Sequence, residues 1–384
     1  MNHKPLLLPL AAALLLVSGL VSGSLFAKDA ADIKPLMRQN FNALFELQEL
    51  AADPRKFADP KNAKIIRERV EQLAGTSHIL PEALGEGKPG QAGIGDVLAQ
   101  YLSDLRDHLD RGSPDYLRNR IRTATGFCFE CHTSLSNARN VQDIEKRLEK
   151  ADFAQASKAE FYAATRQFDK AVEAYDKLLS RGGGTIAGPD VSEVVRHALS
   201  LSVRVKRDPS LTLRYLAKAE DLKESSPAFR GLVTTWKKDV EAWKKEKDLP
   251  PQASPEKWLS LAGDLVRKAG GLNKFPADHR GDVSYLRAIN AVHEAFSQKV
   301  SIAQKVNGFL LLGEAYGTLD DPLLWALDDY YYEACIKASP HSKTSWKCYD
   351  RLSKDVTFGF TGSSGTDMPA EERERLQKLE LLAK

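Results

Sequence analysis

Cysteine, methionine and charge imbalance are all scarce in this chain, and each scarcity narrows what it can be. Four cysteines in 384 residues are too few for a disulfide-built scaffold, so the fold has to rest on a hydrophobic core. The net charge is only +3, from 55 basic and 52 acidic side chains, which leaves no electrostatic footprint for nucleic acid. The three methionines are Met1, Met37 and Met368. Beyond residue 150 no nucleophile-base pair, phosphate loop or metal cluster is legible. What is present is ordinary for a globular protein, 42% hydrophobic and 28% charged residues.

The N-terminal stretch decides the compartment. Lys4 gives a positive start, Leu6 to Val17 form an apolar core, and a small-residue region runs from Ser18 to Ala27. This pattern predicts a secretory signal peptide over residues 1–27, cut after Ala27 or Ser24, and hence a periplasmic protein. No cysteine lies near the cut, so a lipid anchor is not expected. Pro9 and the Gly and Ser residues at 18 to 24 keep the uninterrupted apolar run below the ~20 residues of a membrane span, which disfavours an uncleaved anchor as the route to a membrane.

The most specific chemistry lies in Cys128-Phe129-Glu130-Cys131-His132. Two thiols three apart followed by an imidazole form the pattern that attaches c-type haem: both sulfurs add to vinyl groups of one porphyrin, and the histidine reaches the iron. A redox dithiol needs a strand-helix-strand setting and a zinc site needs a second ligand pair. Cys335 and Cys348 are far along the chain and do not form a second Cys-x-x-Cys. One covalent haem c is therefore the expected cofactor.

Around the motif the sequence reads as four helices. The first runs from about Asp32 to Ala51, with Ile33, Met37, Phe41, Leu44 and Leu47 on one face. Asp53-Pro54 stops it. A second spans roughly Asn62 to Ala74, and a Gly- and Pro-containing stretch from Gly75 to Gly93 reads as a long loop. A third runs from Ile94 to about Leu109. The fourth opens with Ser113 as cap and Pro114 in first position, and carries Leu117, Ile121, Thr125, Cys128 and His132 on one stripe. Such helices predict an antiparallel bundle. In that bundle the start of helix one meets the end of helix four, which puts Met37 beside His132, as a core side chain or as sixth ligand. His78 follows helix two at the same end and is a rival. His108 falls at the opposite end. With Met37 unbound, Phe41 would cover the distal face and leave iron five-coordinate. Arg118, Arg120 and Arg122 precede the motif, and Arg118 or Arg122 could meet a haem propionate or an acidic partner.

A secreted four-helix bundle with Cys-x-x-Cys-His near the end of its last helix resembles the class II cytochromes c, over residues 28 to about 140. The resemblance implies thioethers from Cys128 and Cys131, an axial bond from His132 and, in its low-spin branch, a methionine near the mature N-terminus, where Met37 stands. Met368, before Pro369, sits in a context reminiscent of class I ligand loops.

All five tryptophans (Trp236, Trp243, Trp258, Trp325, Trp346) lie beyond residue 150, which supports a boundary between domains at 28–150 and 151–384. In the second, Ala159, Tyr162, Phe168, Ala171, Tyr175 and Leu179, then Leu312 to Tyr316 with Trp325, Tyr330 and Pro340, resemble tetratricopeptide repeats. Further helices are expected at about 190 to 206, 210 to 222, 227 to 245, 255 to 269 and 282 to 297. The resemblance implies an α-solenoid whose inner surface suits a protein partner. Cys335 and Cys348 flank the turn at Pro340, and export makes a disulfide between them a fair expectation. The whole predicts an all-α protein, a four-helix haem bundle followed by a tetratricopeptide-like array. Its expected function is single-electron transfer with a redox partner protein rather than catalysis. The alternative is a five-coordinate haem that binds nitric oxide or carbon monoxide and signals through the array; peroxidase chemistry is least expected.

Overall fold

The computed structural model describes residues 33–84, 88–134, 144–180, 191–222, 225–275, 278–319 and 327–384. The segment read as a signal peptide, Asp32 and Trp325 lie outside the described residues. About 80% of the chain is helical, as expected of an all-α protein. Among the described residues the strands are two-residue β1 (Thr361–Gly362) and β2 (Gly365–Thr366), paired antiparallel in the connector before the last helix. No described helix is long and apolar enough to cross a membrane.

The first part comprises α1 (Ile33–Ala51), α2 (Pro54–Ala58), α3 (Pro60–Ser77), α4 (Leu80–Leu84), α5 (Pro89–Asp107) and α6 (Pro114–Thr133). Three of these open on an acid or serine followed by proline. Asp53 accepts from the Arg55 amide, Asp59 from that of Lys61 and Ser113 from that of Tyr116. Each side chain satisfies an orphan N–H, and the proline at the first position has none to lose. The long helices α1, α3, α5 and α6 touch in a closed ring, α1 to α3, α3 to α5, α5 to α6 and α6 to α1. Leu47, Val70, Leu105 and Ile121 fill its centre.

In the stretch read as one long loop, residues 85–87 lie outside the described residues and most of the others are helical. α3 continues to Ser77, α4 follows, and α5 begins at Pro89, five residues before Ile94. Two of the glycines there, Gly90 and Gly93, serve close packing. A Cβ on Gly93 would fall 2.6 Å from the Tyr330 ring, and one on Gly90 2.5 Å from the His293 ring. The sequence shows a glycine; only the fold shows that a neighbouring ring needs the space.

The rest is α7 (Glu145–Lys150), α8 (Gln155–Ala164), α9 (Phe168–Ser180), α10 (Val191–Ser200), a π-helical turn (Leu201–Lys206), α11 (Pro209–Glu220), α12 (Pro227–Trp243), α13 (Pro255–Leu272), α14 (Asp282–Phe296), α15 (Ile302–Leu319), α16 (Leu327–Ala338), α17 (Lys343–Gly359) and α18 (Ala370–Ala383). Sequence neighbours pair in space: α8 with α9, α11 with α12, α13 with α14, α15 with α16, α16 with α17. Small residues bring these pairs close, since a Cβ on Gly313 would lie 2.5 Å from the Tyr332 ring. Cys335 on α16 and Cys348 on α17 are joined as a disulfide with Cα atoms 6.3 Å apart, a normal separation.

The core does not divide at residue 150. Phe45 of α1 packs with Phe153 and with Phe161 of α8, at ring centroid distances of 5.2 and 5.9 Å. One apolar cluster runs from Leu44 through Ile121 to Trp258 and Leu379. α6 contacts α8 and the π-turn, and α5 contacts α14 and α16. The paired helices thus turn part of their apolar surface onto the chain's own α5 and α6, where the sequence suggests a surface for a partner.

Candidate functional site

Residues three and four apart on a helix share a face, and α6 uses this to aim Ala124, Cys128, Cys131 and His132 at one cavity. Across it stand Met37, Asn40, Phe41 and Leu44 of α1. Leu80 of α4, Leu98 of α5 and Phe161 of α8 close the sides, so the walls are overwhelmingly apolar. The ring of helices therefore brings Met37 and Phe41 to the same space as both thiols and the imidazole, as an up-down-up-down order of helices requires.

The electrostatics of the three motif side chains follow from burial. Cys128 and Cys131 are free thiols. Desolvation pushes Cys128 up to about 12 and Cys131 up to about 11, the second opposed in part by the Arg166 charge. A redox dithiol needs a thiolate, and its pKa is lowered by its setting; these sulfurs sit in the opposite environment. Burial likewise holds His132 down at about 4, with the Arg166 charge adding to the effect and a hydrogen bond to Ala164 opposing it. The imidazole is neutral at pH 7. Its Nδ1 faces the Ala164 carbonyl, and since a carbonyl only accepts, Nδ1 carries the hydrogen and Nε2 keeps its lone pair. A ring so fixed is ready to bind a metal through Nε2.

The acceptor, Ala164, ends α8. Behind α6, on the side away from the cavity, the same half of the chain grips the rest of the motif. The Phe129 ring stacks on His197 with centroids 4.9 Å apart. Glu130, only 6% exposed, pairs with the fully buried Arg204 of the π-turn at 2.5 Å and accepts from the Tyr316 hydroxyl at 2.6 Å. Gln91 bridges Ser134, just past the motif, and His293, at 3.2 and 3.3 Å. Sequence reading assigns none of Ala164, Arg204, Tyr316, Gln91 and His293 to the site; Tyr316 stands out there only as part of a repeat-like stretch. Glu130 is visible within the motif, but its partners lie 74 and 186 residues away.

The other candidates stand apart from the cavity. His78 is exposed and caps α3. His108 lies at the far end of α5, its Nδ1 2.8 Å from the Asp104 carbonyl. Met368 is buried at 9% exposure in the core with α17 and α18. Arg118 donates to the Ala51 carbonyl at 2.7 Å, Arg120 pairs with Asp104 at 2.9 Å, and Arg122 lines a separate polar recess with Gln48, Glu160, Tyr175 and His197. None of the three arginines lines the cavity of the motif; the turn after α8 instead brings Arg166 near Cys131 and His132. Among the described residues no group of three or more His, Cys, Asp or Glu could hold a metal ion.

No family model, curated protein or solved structure matches the chain.

Proposed function

We propose that this is an exported monohaem c-type cytochrome of class II character that passes single electrons, with its repeat-like helices fused to the haem-binding bundle. The observation that carries the reading is the donor set: two half-buried thiols and a neutral imidazole with Nε2 free, on one helix face, opening into a single apolar cavity with Met37 on the opposite wall. Side chains alone offer too few ligands for a bare ion here, so an iron at His132 needs equatorial donors from a porphyrin. The residues fit that group. Cys128 and Cys131 would form the thioethers, His132 the proximal bond and Met37 the distal one, with Phe41 packed beside it. When bound, the haem supplies a metal that accepts and releases one electron.

The chain's own residues do the rest. The apolar walls exclude water, the Ala164 carbonyl holds the His132 ring in one orientation, and a thioether from Met37 would favour ferrous iron and keep six ligands in both oxidation states. The redox partner is a further protein. The test is the absorption spectrum of haem-loaded protein, ferric and ferrous, with and without carbon monoxide, repeated on Met37→Ala. The expected result is a low-spin spectrum with a methionine-iron charge-transfer band, indifferent to carbon monoxide until Met37 is removed. A high-spin spectrum that responds to carbon monoxide in the native protein would refute electron transfer in favour of gas binding.

A further inference from the structure

We propose that the Arg204–Glu130 ion pair sets the charge felt by the haem, making Arg204 a positioning and potential-tuning residue supplied by the repeat-like half. The inference rests on the haem reading above. Glu130 lies inside the attachment motif, two residues before His132, and faces away from the cavity. A carboxylate and a guanidinium out of water each carry a large desolvation penalty, and removal of one partner leaves the other uncompensated. Here both are enclosed, with side-chain exposures of 0% for Arg204 and 8% for Glu130. Tyr316 donates to Glu130 Oε1 at 2.6 Å, and Arg204 Nη2 also reaches the Glu130 carbonyl at 3.5 Å.

The guanidinium arrives there through a local irregularity. Leu201–Lys206 forms a π-helical turn ended by Arg207 in the left-handed region at φ 49°. Such wide turns are uncommon and cluster at functional sites. Ser202 in the same turn is buried and its hydroxyl accepts from Thr212 at 3.0 Å. A pair built only for stability is an inefficient choice, because an apolar pair of similar volume is often neutral or better. What the pair provides that an apolar one would not is a fixed dipole against the helix that carries the axial ligand.

The sign follows from the iron. Ferric haem bears one more positive charge than ferrous, so an unpaired cation nearby favours ferrous iron and raises the potential, and an unpaired anion lowers it. Helix geometry separates Glu130 from a group on His132 by about a helix diameter, ~10–15 Å. At an effective dielectric near 20 one charge at that range changes the ferrous-to-ferric ratio on the order of tenfold.

The experiment is redox titration of haem-loaded, full-length protein, with urea unfolding alongside, for Glu130→Gln, Arg204→Met, Arg204→Lys and the Glu130→Gln/Arg204→Met double variant. The potential of Glu130→Gln should rise, that of Arg204→Met should fall, and the double variant should return toward the native value. Arg204→Lys should keep a near-native potential while losing stability, because it retains the charge and loses the fork. A purely structural role would lower stability in all four and leave the potentials unordered by charge. That result, or shifts of one sign in both single variants, overturns the inference while leaving the cytochrome reading intact. Protein that matures without covalent haem overturns both.

Discussion

Phe161 tests whether the two halves are one cooperative unit. It sits on α8 at 2% exposure, beside Phe153 with centroids 5.3 Å apart and near Phe41 and Phe45 of α1 at 6.2 and 5.9 Å. It also forms a shared wall, lining both the motif's cavity and the polar recess that holds Arg122 and His197. Phe161→Ala removes a fully packed ring, which costs about 3–5 kcal/mol. The site belongs near the top of that range, because every ring pair broken is worth a further ~0.5–1.5 kcal/mol beyond area. Against a total stability of ~5–15 kcal/mol this is a large fraction. All five tryptophans lie beyond residue 150, so their fluorescence reports the second half alone, whereas far-ultraviolet circular dichroism reports helices in both. Urea unfolding followed by both probes should give coincident transitions, shifted together to lower urea in the variant. Two separated transitions, with only the tryptophan-reported one moved by Phe161→Ala, would refute the continuity of the core across residue 150.

Two further outcomes follow from other parts of the molecule. Replacing Cys335 and Cys348 by serine opens a crosslink between residues 13 apart and should cost about 3 kcal/mol; the native protein in dithiothreitol should drop to match the variant, and equal midpoints with and without reductant would rule the bridge out. Burial, and then the Asp329 charge, push the Asp328 carboxyl up to about 7, so its contribution to stability is intact below the unfolded value near pH 4 and lost as pH rises through about 7. The urea midpoint should therefore decline over that window with a shallower slope in Asp328→Asn, and an unchanged slope would refute the assignment.

The helices are legible because their signals are local. Apolar spacing marks α1, α3 and α6, and stretches expected at 210 to 222, 227 to 245 and 282 to 297 match α11, α12 and α14 within a few residues. Ser113-Pro114 announces α6, and the same acid- or serine-proline opening recurs at Asp208-Pro209 and Ser226-Pro227. The stretch from Gly75 to Gly93 misleads because glycine reads as a turn former, while Gly90 and Gly93 are small for the sake of His293 and Tyr330. The π-turn leaves no mark distinguishable from an α-helix. Of the site, Cys128, Cys131, His132, Met37 and Phe41 can be gathered from motif and bundle order alone. What surrounds the motif from behind cannot, since Ala164 contributes only a backbone carbonyl, and Arg204 and Tyr316 look like any arginine and tyrosine until the chain folds back.

Those distant contacts matter because of where they fall on α6. The last turn of a helix leaves carbonyls without partners and frays readily, and this last turn carries Glu130, Cys131 and His132. Here it is tied at four successive points, Phe129 on His197, Glu130 on Arg204 and Tyr316, His132 on Ala164, and Ser134 on Gln91. Three of the four anchors come from beyond residue 150, and the fourth, Gln91, is itself held against His293. The chain beyond residue 150 thereby restrains an end that would otherwise fray. For a proposed electron carrier this is the useful consequence, because a ligand that does not move between oxidation states adds little reorganisation to each electron passed.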